Sequence, residues 1–519
     1  MCKIHHMNNN NSNNIDIIFT TLNSRFSHSS LSLRYLFANL KELKNSAKIL
    51  EFVINSQTQT IVEEILAYKP KIVCIATYIW NATDVAEIVK YIKLISPNTI
   101  VALGGPEISH LPHRVNFEKA DYFMFGEGEI SVYNLCQNVL GGVRPKDKII
   151  QAKPVEFDKI ALPYDYYTDF DIKNRHIYIE SSRGCPFTCE FCLSSIDSSM
   201  RYLPIDVFLA EIDKLWNRGA RSYKFIDRTF NLKISYAKAI LEYFLVKDED
   251  YFLHFEVIPD NFPDELRELL KQFKAGSLQL EVGIQTLNLE VAKEINRNLR
   301  IQKIKENLAF LDNETKAHVH IDLIVGLPSE TIESFSSNLD LLYSLSSGEI
   351  QIGILKKLSG TTLNRHDEIH GMVYNPNPPY DILQNNLIQF ELMQDMKRFA
   401  RFWDIVYNSG NFVKTSKLLF KNGKVFDNFF SFSKWLYKRS ESTFKISLDR
   451  VAEYLFEYLS KDYDEELLVK TILDDVMLIE GRKIPPFLKK YKKYEKDFIQ
   501  IEQSRANKRQ VLRKESDEE

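Results

Sequence analysis

The sequence predicts an α/β protein in three parts: a doubly wound Rossmann-like domain, a central partial (β/α)6 barrel of the TIM type, and a mostly α-helical C-terminal domain. Two runs of short apolar strands alternating with amphipathic helices predict the first two parts, because such alternation builds parallel sheets with helices on their faces. A last stretch poor in glycine, with Leu, Phe, Tyr, Lys and Glu at helical spacing, predicts the third. At 519 residues the chain exceeds what one core holds and fits two to three domains.

Composition narrows the function classes. A hydrophobic content of 44% with 26% charged residues is that of a soluble globular protein. A net charge of -3 and a pI near 6.5 supply no global pull toward nucleic acid or anionic membrane. Six cysteines, three of them in one loop, fit metal ligation in a reducing cytoplasm rather than a disulfide framework. Cys74 and Cys136 read as small buried hydrophobes. No apolar run reaches the length of a membrane span. Residues 1–14, Asn-rich and carrying His5 and His6, read as a disordered leader without an export signal.

From 15 to 140 the strands fall at 15–20, 47–53, 72–77, 100–103 and 122–125, with helices near 30–43, 57–67, 82–95 and 128–139. A doubly wound sheet binds ligands outside the carboxyl ends of its strands. Those ends carry Asn23 to His28, Thr77-Tyr78-Ile79-Trp80-Asn81, Gly104-Gly105-Pro106-Glu107 and Gly126-Glu127-Gly128-Glu129. Glycines there let backbone approach a ligand, and equally make ordinary turns. Residues 141–175, with Gly141, Gly142, Pro145, Pro154 and Pro163, read as a linker.

The barrel is expected over 176–375, with strands at 176–181, 222–227, 251–257, 278–284, 317–325 and 349–355. Chemistry in a parallel barrel gathers at the carboxyl ends of the strands. The first strand leads to Cys185, Cys189 and Cys192, the second ends at Asp227, and the third carries Glu256. The fourth reaches Gln285, the fifth Gly326-Leu327-Pro328-Ser329-Glu330, and the sixth Lys356 to Thr361. A turn-rich bridge at 374–380 precedes the helical domain, placed at 376–500, and residues 501–519 read as a charged tail. The basic and aromatic stretch Arg482 to Lys496 reads as a solvated helix face.

Iron-sulfur cubanes normally take four thiolates, so a loop with only Cys185, Cys189 and Cys192 leaves one iron open to a substrate or cofactor. A structural zinc knuckle would want a fourth Cys or His nearby, and none follows Cys192 until His254.

The spacing C-x3-C-x2-C, with Phe191 before the last cysteine, resembles the signature of radical S-adenosylmethionine (radical SAM) enzymes. The resemblance implies a [4Fe-4S] cluster on the three cysteines. Its unique iron would be chelated by S-adenosylmethionine, and one electron would release a 5'-deoxyadenosyl radical. It also assigns Asp227 to the methionine ammonium, Gln285 to the ribose hydroxyls, Arg297 to the methionine carboxylate, and the 324–328 segment with Gly326 and Pro328 to the adenine. Glu256 joins them as a further cofactor-site candidate.

The GGPE run and the D-Y-x-x-x-G-E-G-E run from Asp121 to Glu129 resemble the flavodoxin-like cobalamin-binding domain that precedes many such barrels. That likeness makes His28, Tyr78, Gly104, Gly105, Gly126 and Gly128 the candidate corrinoid contacts. Phe26 and Leu31 stand where the cobalt-ligating motif has Asp and Gly, so a corrinoid is expected here without a protein histidine on cobalt. The segment 378–383 and Tyr407-Asn408-Ser409-Gly410 resemble a C-terminal domain of unknown function joined to such proteins.

The implied activity is radical SAM catalysis, with cobalamin-dependent methyl transfer to an unactivated carbon as the leading reaction. The expected partners are a small-molecule or unknown substrate and an electron donor such as flavodoxin or ferredoxin, without nucleic acid or membrane, in the cytoplasm. Two other readings stay open: a radical SAM enzyme without cobalamin doing rearrangement, cyclisation or oxidation, and a non-catalytic iron-sulfur or corrinoid sensor. A further reading resembles the tRNA methylthiotransferases, which carry a second cluster on cysteines of their N-terminal domain, whereas between the leader and the barrel only Cys74 and Cys136 stand here.

Overall fold

The computed structural model describes residues 14–479 and 481–497; the leader with His5 and His6 and the charged tail lie outside the described residues. The chain divides into two compact units. One holds residues up to Ile179 with Arg201–Ala220 and Pro376–Pro379; the other holds Glu180–Met200, Arg221–Asn375 and the residues from Tyr380 onward.

In the first unit β1 (Ile17–Asn23), α1 (Leu31–Ala38), β2 (Ala47–Val53), α2 (Thr58–Leu66), β3 (Ile72–Ala76), α3 (Ala82–Ile95), β4 (Ile100–Gly104), β5 (Tyr122–Phe125) and α4 (Gly128–Leu140) alternate. The strands form one parallel sheet in the order β2-β1-β3-β4-β5-β6, the last being Ile149–Gln151. Side chains alternate across a strand, so successive residues feed two cores. Ile18, Val73 and Val101 join one, and Phe19, Cys74, Ala102 and Cys136 join the other. Burial on both faces explains why these strands read as unbroken apolar runs. The chain runs from β1 to β2 on one side and then to β3 on the other, so the topological switch lies at the carboxyl ends of β1 and β3.

The stretch expected as a linker is folded. β6 adds a strand to the sheet, and α5 (Asp169–Asn174) starts at a capping box between Thr168 and Asp171. Asp171 is buried on Arg34 at 2.8 Å, and Arg34 also pairs with Glu51 at 2.8 Å. Elements of three to six residues held by a buried charge pair leave no periodicity to read. β7 (Ile177–Ile179), the two-residue strands β8 (Ser182–Arg183) and β9 (Arg201–Tyr202), and α6 (Ile205–Asn217) follow.

The second unit is built on β10 (Ser222–Phe225), α7 (Ile234–Leu245), β11 (Phe252–Val257), α8 (Asp264–Leu270), β12 (Leu278–Gln285), α9 (Leu289–Glu294), α10 (Ile301–Glu314), β13 (His318–Val325), α11 (Ile332–Leu345) and β14 (Glu349–Ile354). Strands β10 to β14 pair in parallel and in chain order, as successive right-handed βα units require. Val319, Ile321, Leu323 and Val325 of β13 are buried apolar residues, while His318, His320 and Asp322 alternate with them onto the other face.

A hairpin of β15 (Val373–Tyr374) and β16 (Ile382–Gln384) leads into α12 (Phe390–Trp403), α13 (Val413–Leu419), α14 (Val425–Ser440), α15 (Leu448–Leu459) and α16 (Glu465–Met477). Phe399, Trp403, Phe426 and Phe429 form their aromatic core. A π-turn at Asp404–Asn408 follows α12, and Trp403 Nε1 and Asn408 Nδ2 both donate to the Ile350 carbonyl of β14 at 3.0 Å.

Candidate functional site

The cysteine loop is held at each of its turns. Gly184 has φ 92°, and a Cβ there would fall 1.6 Å from the Ser199 carbonyl, so only glycine fits before Cys185. Cys185 N donates to Asp197 O at 2.9 Å, and Cys192 N donates to Cys189 O at 3.1 Å. Asn296 Nδ2 donates to Thr188 Oγ1 at 2.6 Å, and Glu190 N donates to Ile295 O at 3.2 Å. Cys185 and Cys189 are buried, Cys192 is half-buried, and all three are free thiols. Burial pushes the Cys185 thiol up, with Cys192 and Cys189 adding to the shift and Arg228 opposing it, so the three sulfurs share one space. Three soft donors in one rigid loop fit an iron-sulfur cluster. The other described cysteines, Cys74 and Cys136, lie against each other in the core of the first unit.

The strand-end candidates fall into three groups. Asp227 is buried, and its carboxylate accepts from the Ser181 amide at 3.0 Å and from the Ser181 and Ser182 hydroxyls at 2.6 Å each. Burial pushes its pKa up against those hydrogen bonds. Its geometry therefore fastens the chain entering the cysteine loop. Arg297 donates from Nη1 to Cys189 Sγ at 3.5 Å and from Nη2 to the Gly283 carbonyl. Glu256 is paired with Arg228 at 2.9 Å.

Gln285 closes β12 with φ 65°, just past a register shift, and its buried Oε1 has no hydrogen-bond partner. A buried acceptor without a donor suits a hydroxyl-bearing ligand. Gly326 and Pro328 are buried, and a Cβ on Gly326 would come 2.8 Å from Ile382 Cγ2, so this turn is packed by the C-terminal region.

Sequence reasoning missed a polar row on the face of the sheet away from the helices. The register aligns Glu256, Glu281, His320 and Glu349 across four strands. His254 Nε2 lies 2.9 Å from Glu281 Oε2, Gln351 donates to Glu281 Oε1 at 2.7 Å, and His318 Nε2 lies 3.0 Å from Glu349 Oε1. Burial works against ionised Glu281, but His254, His320 and Gln351 hold it down at about 2. Burial pushes His320 down to about 4, which keeps it neutral. Asp322 lies on the same face, pushed well above the usual carboxylate range by burial and by Glu281 and Glu256. The signal was legible as polar residues at every second position of apolar strands: His254 and Glu256, Gln279 and Glu281, His318 and His320, Glu349 and Gln351.

In the first unit the cobalamin candidates lie beyond the carboxyl ends of β1, β3, β4 and β5, with His28 and Tyr78 at the switch point. Tyr78 and Trp80 stack at 4.5 Å with an interplanar angle of 5°, and Trp80 is 46% exposed. The pair offers an exposed flat apolar surface where this strand order places ligands. His28 Nδ1 is 3.1 Å from Ser24 Oγ, and its ring lies edge-on to Tyr178. Gly105 has φ 101°, and a Cβ there would meet Thr77 O at 2.5 Å. Gly104 ends β4, whose carbonyl accepts from Thr77 N at 2.8 Å, and Gly126 and Gly128 form the turn into α4. The glycines thus serve close strand-end packing, and the aromatic pair supplies the open face.

Comparisons with known proteins agree with this architecture. Residues 18–135 match the B12 binding domain, residues 179–342 the radical SAM superfamily, and residues 368–519 a protein family of unknown function, DUF4080. An uncharacterized methyltransferase of Pyrococcus horikoshii is 23% identical over 361 residues, covering 64% of this chain and 77% of that protein. The cobalamin-dependent radical SAM methyltransferase TokK of Streptomyces tokunonensis is 24% identical over 341 residues, covering 58% of this chain and about half (49%) of that protein. The solved structure of OxsB, a cobalamin-dependent S-adenosylmethionine radical enzyme with aqua-cobalamin bound, superposes with a TM-score of 0.62 at 14% identity. It covers 96% of this chain and 83% of that one, a likeness of fold. No described helix is long and apolar enough to cross a membrane. The chain thus carries a radical SAM domain, with a B12-binding domain before it and a DUF4080 region after it.

Proposed function

We propose that this protein is a cobalamin-dependent radical SAM methyltransferase acting on a small molecule. The observation that carries the reading is the three-cysteine loop, fixed by hydrogen bonds on every side, in a chain that also has a B12-binding domain. When bound at Cys185, Cys189 and Cys192, the cluster supplies the electron that splits S-adenosylmethionine, and cobalamin supplies a methyl carrier.

The chain's own residues hold and shield those groups. Asp227 anchors Ser181 and Ser182 and so fixes where the loop begins. Arg297 places an N–H on the Cys189 sulfur, which favours added negative charge there. Gln285 turns an unpartnered acceptor inward, fitting a ribose hydroxyl, and Gly326 and Pro328 form the packed turn suited to an adenine. Tyr78 and Trp80 offer the flat surface for a corrin ring. The row of Glu256, Glu281, His320 and Glu349 gives the substrate a polar wall, in which Glu281 is held ionised and His320 neutral.

The relative TokK, named as a cobalamin-dependent radical SAM methyltransferase, supports methyl transfer. Anaerobic purification with iron, corrinoid and 5'-deoxyadenosine measured on one sample tests the reading. Iron and corrinoid together with S-adenosylmethionine cleavage are expected. Cleavage without corrinoid would leave rearrangement, cyclisation or oxidation, and no cleavage in reduced protein would remove the enzyme reading.

A further inference from the structure

Glu190 stands between Cys189 and Cys192, and its carboxylate is engaged by His366 and Arg365. Glu190 Oε2 is 2.7 Å from His366 Nε2 and accepts from Arg365 Nε at 2.8 Å. The other nitrogen of that ring, Nδ1, is 3.4 Å from Glu294 Oε1, and His370 Nε2 is 3.3 Å from the same oxygen. His366 is 1% exposed, and its Nδ1 has no hydrogen-bond partner. Arg365 Nε also lies 3.3 Å from that Nε2, but it is nearer to Glu190 Oε2, and the 2.7 Å contact with the same carboxylate oxygen keeps the ring proton on Nε2, so Nδ1 presents a buried lone pair. His370 N donates to His366 O at 3.0 Å, a helical turn that sets both rings on one side.

The donor set and its spacing admit zinc. Ligand atoms about 2.0–2.1 Å from zinc at tetrahedral angles lie about 3.3–3.4 Å from one another, whereas cis ligands of an octahedral ion lie about 3.0 Å apart. The two distances to Glu294 Oε1, 3.4 and 3.3 Å, match the tetrahedral case, and all three donor atoms lie within 4.8 Å of one another. The geometry points to a zinc site formed by Glu294, His366 and His370, with a fourth position for water and Glu190 as the carboxylate that orients His366. Metal-bound histidines commonly direct their second nitrogen to such a carboxylate.

A second donor trio, His318, His320 and Glu349, makes a useful contrast. His320 Nδ1 accepts from Gln351 at 2.6 Å and from Gln279 at 3.2 Å, which puts the ring proton on Nε2, the nitrogen nearest Glu349. That ring has no lone pair to offer there, so only the Glu294 trio has the right tautomer. Zinc at this trio would tie the cysteine loop, through Glu190, to the segment that leads into the DUF4080 region.

The test counts zinc and iron in the full-length chain by plasma mass spectrometry after zinc loading and dialysis. His5 and His6 are replaced by alanine throughout, so that the leader holds no metal. One zinc per chain is expected in this background and also after Cys185→Ser, Cys189→Ser and Cys192→Ser are combined, which removes the cluster ligands. His370→Ala and the milder Glu294→Gln should each weaken zinc binding at least about tenfold, with circular dichroism confirming that both fold. Zinc X-ray absorption should show nitrogen and oxygen neighbours without sulfur. Little zinc in the parent, a sulfur neighbour, or zinc retained in a His366→Ala/His370→Ala double variant would overturn the proposal, whatever the iron content.

Discussion

Glu330 is one point where pH enters the stability of this fold. It is 1% exposed, and its Oε1 accepts from Thr286 Oγ1 at 2.6 Å, Asn338 Nδ2 at 2.9 Å and Ser334 Oγ at 3.3 Å. Its Oε2 has no partner. Burial outweighs the three hydrogen bonds and pushes the carboxyl from 4.5 up to about 7. The folded protein therefore keeps a proton that the unfolded chain gives up near 4.5. The corresponding stability is fully present below that pH and is lost as pH rises to about 7. At about 1.4 kcal/mol per pKa unit the loss is roughly 3 kcal/mol. Glu330→Gln reproduces the neutral acid: its oxygen can take the three donors, and its amide occupies the unpartnered position as the acid O–H does. Urea unfolding should find the variant within about 1 kcal/mol of the parent at pH 5 and about 2–3 kcal/mol more stable at pH 8. An equal difference at both pH values would refute the reasoning. The consequence reaches the site because Thr286, held by Glu330, directly follows Gln285.

Three further perturbations have defined outcomes. Asp227→Asn removes the charge that collects the Ser181 amide and two hydroxyls; it should loosen the loop by about 2–3 kcal/mol, read as faster hydrogen exchange at Ser181 and lower iron content. Unchanged exchange would show that the carboxylate does not anchor the loop. Arg297→Met deletes the N–H on Cys189 sulfur and should lower the cluster's reduction potential by roughly 40 mV, equivalent to about 1 kcal/mol for one electron. A redox titration followed by electron paramagnetic resonance measures it, and an unmoved potential counts against the contact. Gly105→Ala drives a Cβ to 2.5 Å from Thr77 O at φ 101°. It should destabilise the first unit by at least about 2 kcal/mol, visible as a lower melting temperature, and a wild-type melt would contradict the close approach.

Much of the parallel architecture was legible because buried strands leave unbroken apolar runs; the expected 72–77 and 122–125 fall on β3 and β5. The three cysteines were legible because their spacing is local. Asp227 was identified as important from its strand-end position, but its partners Ser181 and Ser182 lie on another strand end and left no sign in the sequence. Glu190 and His366 touch across a separation of 176 residues, which no periodicity encodes. Short elements such as α5 escaped because a six-residue helix spans fewer than two turns and its anchor, Asp171, is a charge expected at the surface.

The contact of Trp403 and Asn408 with Ile350 bears on how the chain can be cut for study. Barrel and C-terminal helices share one compact unit, so the DUF4080 segment is not a passenger that can be trimmed away. A fragment ending near residue 368 would bare β14 along its unpaired side, strip the packing from Gly326, and present a sticky strand to its neighbours. Insolubility of such a fragment would report on a missing wall, not on the chemistry of the half that remains.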